Sequence, residues 1–542
     1  MTPILLIGES RLSGLDWVVI GGYLLIMLVS GVWFARREPS GAGEYFLANR
    51  RMPAWAVSFS VIASSLSVAT FIGVPESVYK GNMTFMSTTI GSVMAIAVVA
   101  AFFIPAFYKA NVTTVYGLLE QRFGTPTKKA ASATFMVGRL FASGSRVYIA
   151  AIPLTMVLFG PEAIDSPGLM IASIGLLSFV AVAYTLIGGI ASVIWTDVLQ
   201  TIVLVGAAVG AVLLLLHKIP APIEDIWGLL RTPDPNGNTK TTVLLLGLNQ
   251  HQPNLGFDPS RQYTLLTAIF GFSLINMAAY GTDHDLAQRM LTCKSAVRGS
   301  RSAWTAILMS LPITMVFMAI GALLWVYYVT GTGTAPPKGQ QVFPAFILND
   351  MPSGLKGLML AGLFAAGLGS LNSAINAMAA TFVSDFYMPM TSNRGHSDRH
   401  YLRVSRLATV GWGVLIGGFA ILCIYWKRAN PDTTLIDFAL AVMTFAYAGL
   451  LAVFLTAIFT KRGNTASSLA ALVVGFGAIV LMQAGPALAE WLGRGDDVEQ
   501  AASAARSFKL AYPWQMLIAT GLAFAVCCAG TPRAPAAPEP AA

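Results

Sequence analysis

Charge is scarce in this chain. Only 11% of its residues are Asp, Glu, Lys or Arg, against 55% that are hydrophobic, whereas soluble domains carry roughly a quarter charged residues. With a mean hydropathy of +0.67, that balance excludes an ordinary soluble domain. Apolar runs recur down the whole length and mark a polytopic membrane protein. Cysteine is scarcer still: Cys293, Cys423, Cys527 and Cys528 complete the set. None forms a C-x-x-C pair with another and all lie in or beside apolar runs, so neither a disulfide framework nor a cysteine-held metal is expected. Catalytic signatures are missing too. There is no Walker A loop, no H-E-x-x-H helix and no nucleophile–base constellation, so no enzyme is expected. No basic–aromatic groove points to nucleic acid. The first residues lack a basic start, a short apolar run and a small-residue cleavage site, so a cleaved leader is not expected.

What is present is span after span. A crossing helix needs roughly 20 apolar residues, and about thirteen such stretches can be drawn: 16–35, 53–80, 85–108, 130–159, 166–187, 190–217, 263–288, 303–330, 354–384, 405–426, 434–460, 465–493 and 510–529. The net charge of +9 is distributed unevenly between them. Arg36, Arg37, Arg50 and Arg51, then Lys109, Arg122, Lys128 and Lys129, then Arg289, Lys294, Arg298 and Arg301 follow odd-numbered spans. So do Arg394, Arg399, Arg403 and Arg406, and finally Lys461 and Arg462. Acidic "PEAIDSP" and "GRGDDVEQ" follow even-numbered ones. The positive-inside rule then sets the N-terminus outside and the C-terminus in the cytoplasm. Pro, Asn and Gly content marks 218–262 as an outer loop holding a short helix and 331–352 as a second outer loop. The expected organisation is one membrane domain, 1–530, with a transport core over about 53–460 and a disordered tail, 531–542.

Two spans read as irregular. In "SVIASSLSVATFIGVPESVY" (60–79), hydroxyls at Ser64, Ser65, Ser67 and Thr70 precede Gly73 and Pro75. In "INMAAYGTDHDLAQRM" (275–290), Gly281 is followed by Thr282, Asp283, His284 and Asp285. Broken backbone at membrane depth survives only inside protein or around a water-filled cavity. Interrupted helices at corresponding places in two halves point to an inverted-repeat transporter; close packing of small residues is the alternative. These two are the second and seventh spans, a spacing that suits a five-plus-five repeat after one extra helix.

Residues in these and neighbouring spans resemble the sodium:solute symporter family. "YTLIGGIASVIWTDVLQ" (184–200) is similar to its signature, and "EYFLANRRMPAWAVSFSVIASSLSVATFIGVP" (44–75) to its first core helix with the preceding inner loop. "YGTDHDLAQRMLTCKS" (280–295) resembles the sixth core helix and "GLKGLMLAGLFAAGLGSLNSAINAMAATFVSDFY" (354–387) the eighth. The likeness runs over about 16–462. It implies an all-α membrane protein of LeuT type: a five-plus-five inverted repeat with one extra N-terminal and two extra C-terminal helices.

The resemblance also implies sites. A principal sodium site would use the carbonyls of Ala63, Leu66 and Ala366 and the hydroxyl of Ser370. Many members carry a second hydroxyl where this chain has Gly369, which offers only its carbonyl or room for water. Asp197, with Asn372 and Ser373, would hold a second sodium or relay charge and water; an aspartate bonded to inner-loop backbone is the alternative. A carboxylate in hydrocarbon costs about 2.5 kcal/mol or more, so one kept there implies a partner. The solute cavity would lie between the two broken helices, with Ser65, Ser67 and Thr70 on the first, Phe85 and Thr89 on the next core helix, and Asp283 and His284 on the sixth. Where Thr70 stands, the sodium–sugar members use an amide; "SSLSVAT" looks nearer the sialic-acid branch. That branch holds a carboxylate with an arginine on the third core helix, where this chain has Arg139 and Arg146. Three roles stay open for Arg146: gripping an anion, pairing with Asp283, or reaching an interface. His284 is a structural or gating residue, or a proton relay.

The expected function is therefore a symporter that imports a small organic solute, an acidic sugar or a carboxylate, by alternating access. Sodium is the coupling ion and no other cofactor is implied. A proton-coupled transporter of the same fold, and a channel or non-transporting sensor, are the alternatives. The expected partners are sodium, the solute and the lipid bilayer, for a chain competent as a monomer in a plasma membrane, with a bacterial inner membrane favoured.

Overall fold

The computed structural model describes residues 12–35, 47–186, 190–234, 237–247, 258–334, 338–391, 397–430, 433–492 and 510–531. Arg36, Arg37, Arg394, the acidic 493–500 stretch and the tail from 532 fall outside them.

Where the chain is apolar it is helical, because backbone in hydrocarbon has no water to bond and must satisfy itself. In chain order the helices are α1 (Gly14–Ala35), α2 (Ala54–Ser65), α3 (Ala69–Lys80), α4 (Met83–Lys109), α5 (Gly117–Phe123) and α6 (Thr125–Phe159). Then come α7 (Pro167–Thr185), α8 (Ile190–Lys218), α9 (Ile223–Leu230), α10 (Thr267–Gly281), α11 (His284–Leu291) and α12 (Ala296–Val329). The last are α13 (Val342–Asp350), α14 (Leu355–Thr391), α15 (Asp398–Ala429), α16 (Leu435–Phe459), α17 (Thr465–Leu492) and α18 (Tyr512–Ala529). Among the described residues nine helices are long and apolar enough to cross a membrane, or ten with α2 and α3 as one bent span. Shorter apolar stretches at Gly14–Met27, Pro167–Ala183 and Thr267–Gly281 stand where three further spans are expected.

The first interruption bends α3 by 60° from α2. Leu66 takes a non-helical ψ of 83°. The amides of Ser67 and Thr70 turn to the carbonyls of Ser65 and Ser67. In a continuous helix those two amides would reach Ala63 and Leu66, so the break withdraws the donors that would occupy these carbonyls. The second interruption falls between α10 and α11. Asp283 is extended there (ψ 115°), and its carboxylate accepts from the Asp285 amide at 3.0 Å, as an N-cap does.

Helices α8 and α14 pack along one another, and both lie against α2. α6 runs against α16, α15 and α14. Glycines at Gly124 (φ +97°) and Gly160 (φ +93°) bracket α6, in a region that side chains with a Cβ rarely adopt. Buried Asp16 in the first turn of α1 accepts from the amides of Gly354 and Gly357 at 2.8 and 2.9 Å, capping α14 from a different helix.

Two expectations are corrected. Residues 331–352 are not wholly loop: "VFPAFILND" forms α13, buried from Val342 to Leu348, because its run of apolar side chains is covered by α3, α6 and α12. Arg289, counted among the inner-loop cations, is fully buried inside α11, where carboxylates hold it.

Candidate solute and ion sites

Beside the first break lies a cavity of about 150 Å³. Ser65, Ser67 and Thr70, from the α2–α3 region, line it together with Phe85 and Thr89 of α4 and Arg146 of α6. Thr88 and Ser92 of α4, Tyr280 and Asn276 of α10, Ser310 and Thr314 of α12 and Met443 of α16 complete its polar and sulfur face. None of those last seven was singled out from sequence. Hydroxyls and amides at helical spacing also serve packing faces, so only the fold tells the two apart. Ser65 Oγ donates to its own helix at Val61 (2.7 Å) and meets Tyr280 Oη at 3.0 Å, which joins the two broken helices across the cavity.

Arg146 is the charged side chain of this lining. Among the described residues its Nη2 reaches the sulfur of Met443, at 3.8 Å, and its buried Nη1 has no hydrogen-bond partner. Among the described residues no carboxylate lies within ion-pair distance of it. It neither pairs with Asp283 nor reaches an interface.

Asp283 and His284, expected on the cavity wall, lie outside its lining. Asp283 is committed elsewhere. Its carboxylate caps α11, accepts from Tyr447 Oη at 2.7 Å and pairs with Arg139 Nη1 at 2.9 Å. Arg139 also pairs with Asp285. Asp285 binds Arg289 Nη1 at 2.5 Å and accepts from Ser373. Arg289 then reaches Asp197 at 3.2 Å, Ser60 Oγ at 2.8 Å and Ser373 Oγ at 2.6 Å, while Ser60 donates to Asp197 at 2.6 Å. Acid and base alternate through Asp197, Arg289, Asp285, Arg139 and Asp283. Three aspartates against two arginines give this belt a formal charge of one negative when all are ionised. It ties α2, α6, α8, α11, α14 and α16 together in the buried interior. His284 is fully buried beside it, between the rings of Tyr116 and Phe135 (centroids 6.2 and 6.3 Å), with neither ring nitrogen bonded.

Gly138 brings Arg139 into reach. A Cβ built on it would lie 2.2 Å from the Ala446 Cβ on α16, next to Tyr447. Gly138→Ala therefore overpacks the α6–α16 contact. A stability loss of about 1–3 kcal/mol is expected, read as a lower thermal unfolding midpoint in detergent. An unchanged midpoint would show that the helices separate freely there.

Among the expected sodium ligands, Ala63 and Leu66 stand at the break, and Ala366, Gly369 and Ser370 are buried on successive turns of α14. Ser370 Oγ donates to the Gly367 carbonyl at 3.1 Å, which leaves its lone pairs for another partner. In the expected second ion group, Asp197 and Ser373 converge on the guanidinium of Arg289, so the cation between them is a side chain. Asn372 turns away and accepts from Thr185 of α7 at 3.1 Å.

Comparison with known proteins gives a consistent result. The family model of the sodium:solute symporter family matches residues 45–475. The sodium/sialic acid symporter SiaT of Proteus mirabilis is 30% identical over 87% of this chain and 90% of its own length. The human sodium-coupled monocarboxylate transporter 1 is 27% identical over 89% of this chain and 74% of its own. A solved structure of a Na+-coupled sialic acid symporter, in a substrate-bound outward-open state, superposes with a TM-score of 0.77 at 26% identity. That match covers 95% of this chain and 97% of the other.

Proposed function

This chain belongs to the sodium:solute symporter family, a multi-pass membrane transporter and not an enzyme, and we propose that it imports a small anionic solute together with sodium. The solute class is an acidic sugar or a carboxylate. One observation carries this: the charged side chain lining a hydroxyl-rich cavity is an arginine with no carboxylate partner. A planar guanidinium grips a carboxylate through two parallel hydrogen bonds, and the surrounding hydroxyls suit a polyhydroxy body. The relatives named for sialic acid and for monocarboxylates support the same class.

Sodium binds at the first break, on the carbonyls of Ala63, Leu66 and Ala366 and on Ser370. The withdrawn amide donors support this, because carbonyls freed at a helix break coordinate cations. Ser65, Ser67, Thr70, Phe85, Thr89 and Arg146 contact the solute. Asp283 and His284 act from behind the cavity wall. Asp197, Ser373 and Arg289 relay charge between α8, α14 and α11, and Asn372 steadies α14 on α7. Transport proceeds by alternating access in one membrane domain over 1–530, with its core over about 53–460 and the short tail 531–542 in the cytoplasm. The N-terminus lies outside, supported by the basic residues after odd-numbered spans. A single copy suffices, within the lipid bilayer of a plasma membrane, a bacterial inner membrane in this reading.

Reconstituted into liposomes, the protein is expected to accumulate labelled acidic sugar under an inward sodium gradient alone. Uptake that follows a proton gradient and ignores sodium would replace sodium by protons as the coupling ion. Competition separates solute classes: acidic sugars and small carboxylates should inhibit uptake and neutral sugars should not. Ser370→Ala should raise the sodium concentration for half-maximal uptake while leaving folding intact; an unchanged sodium dependence would remove Ser370 from the site.

A further inference from the structure

We propose that the amide oxygen of Gln200, on α8, is a sodium ligand that takes the place of a side chain at Gly369. This rests on the sodium site described above and adds a residue to it from a helix outside the set named there.

Gln200 stands one turn after Asp197 and is 4% exposed. Its Oε1 is buried and, among the described residues, accepts no hydrogen bond. A carbonyl oxygen removed from water without a donor is unfavourable, and nearly all such groups in native proteins find a partner. The direction in which this oxygen points is informative. A Cβ built on Gly369 would lie 2.2 Å from Gln200 Oε1, 3.1 Å from its Cδ and 3.5 Å from its Nε2. The oxygen leads, and it occupies the volume that any side chain at 369 would need. Residue 369 adjoins Ser370 and lies one turn from Ala366, so the unpartnered oxygen reaches the face of α14 that carries those two groups.

The other side of the site is fixed to the same stretch of α8. Thr201 Oγ1 donates to the Phe59 carbonyl at 3.3 Å, and Ser60 Oγ donates to Asp197 at 2.6 Å. Phe59 and Ser60 lie one turn before Ala63 on α2. Gln200 is thus carried by the helix that touches both walls of the site. A hard cation takes several oxygen ligands, backbone and amide carbonyls among them. The three carbonyls and one hydroxyl already assigned leave room for one more, and Gln200 Oε1 is a buried oxygen lacking any other partner at that place. The absence of a Cβ at Gly369 is what admits it.

The test uses the full-length protein, with sodium chloride as the probe and choline chloride as the control. Two readings are taken: the sodium concentration for half-maximal uptake, and the sodium-induced rise in thermal unfolding midpoint in detergent without solute. Gln200→Met keeps the length and removes the oxygen. It should raise the half-maximal sodium concentration by about 10-fold or more, the scale on which loss of a partner at a metal site is felt. Uptake at saturating sodium should persist. Gly369→Ala and Gly369→Ser both displace the amide oxygen and leave residue 200 unchanged, so they decide the matter even if Gln200→Met does not fold. Alanine supplies nothing in return and should weaken sodium as Gln200→Met does. Serine supplies a hydroxyl and should stay near the wild-type value. Normal sodium dependence in Gln200→Met or Gly369→Ala, alongside a weakened Ser370→Ala, overturns the role of Gln200. Equal losses in Gly369→Ala and Gly369→Ser also overturn it, since packing alone then explains both. If Ser370→Ala too is unaffected, the sodium site itself is misplaced, and that reading fails instead.

Discussion

Arg146→Ala is expected to lower the apparent affinity for an acidic solute by about 30-fold or more. Removing one partner of a buried, hydrogen-bonded charge pair costs roughly 2–5 kcal/mol, and each 1.4 kcal/mol is about tenfold. Among the described residues the guanidinium has no carboxylate within ion-pair distance, so its removal breaks no ion pair. The loss should therefore appear in solute affinity and leave folding intact. Arg146→Lys should rescue only part of it, because an ammonium is a point charge and cannot reproduce the planar fork. Binding of the labelled solute, measured by scintillation proximity or calorimetry in detergent, gives the number directly. Undiminished affinity in Arg146→Ala would return this arginine to a packing role and with it the preference for anions.

How much of this was legible in the chain depends on the range of the interaction. The two interruptions were readable because they are local. Hydroxyls, Gly73 and Pro75 in one apolar run, and Gly281 followed by an acidic pair in another, contradict a plain lipid-facing helix. The arginines show where local reading ends. Arg139 and Arg146 lie seven residues apart, close to two turns, and so share one face of α6. Nothing near either in sequence says which is neutralised. That is decided by α11, which arrives 144 residues later and brings Asp283 and Asp285 to Arg139. The sequence places Asp283 on the cavity wall for the same reason: its bonds to Tyr447 and to Arg139 are contacts between helices. α13 escapes a reading of the sequence because an apolar run of seven residues is too short to register as a span, and its burial comes from neighbours it meets only in the fold. Gln200 closes the stretch 184–200 that resembles the family signature, but nothing in the sequence sets it against Gly369, which lies 169 residues further on.

The largest loss is expected from Arg289→Met. Methionine fills much of the same volume but withdraws, among the described residues, the only cation paired with Asp197 and one of the two paired with Asp285. Breaking a buried ion pair from one side costs about 3–5 kcal/mol, because the remaining charge is neither solvated nor paired. The whole stability of a domain is only about 5–15 kcal/mol, so the variant should unfold at a markedly lower temperature in detergent or fail to accumulate. Asp197→Asn works in the opposite sense. It removes the one excess negative charge of the belt, leaving two aspartates against two arginines, and its amide still accepts from Ser60. It should cost far less than Arg289→Met. In combination, Asp197→Asn should recover part of what Arg289→Met loses, since one of the stranded carboxylates is gone. The two sites are in contact, so this departure from additivity is the direct measure of their coupling. Thermal midpoints of the wild type, both single variants and the double variant complete the cycle. A double variant no more stable than Arg289→Met alone would show that Asp197 and Arg289 do not depend on one another. Sodium titration of Asp197→Asn adds the functional arm. A relay through Arg289 should alter the half-maximal sodium concentration and leave the sodium Hill coefficient unchanged, whereas a second ion bound at Asp197 would lower that coefficient toward one.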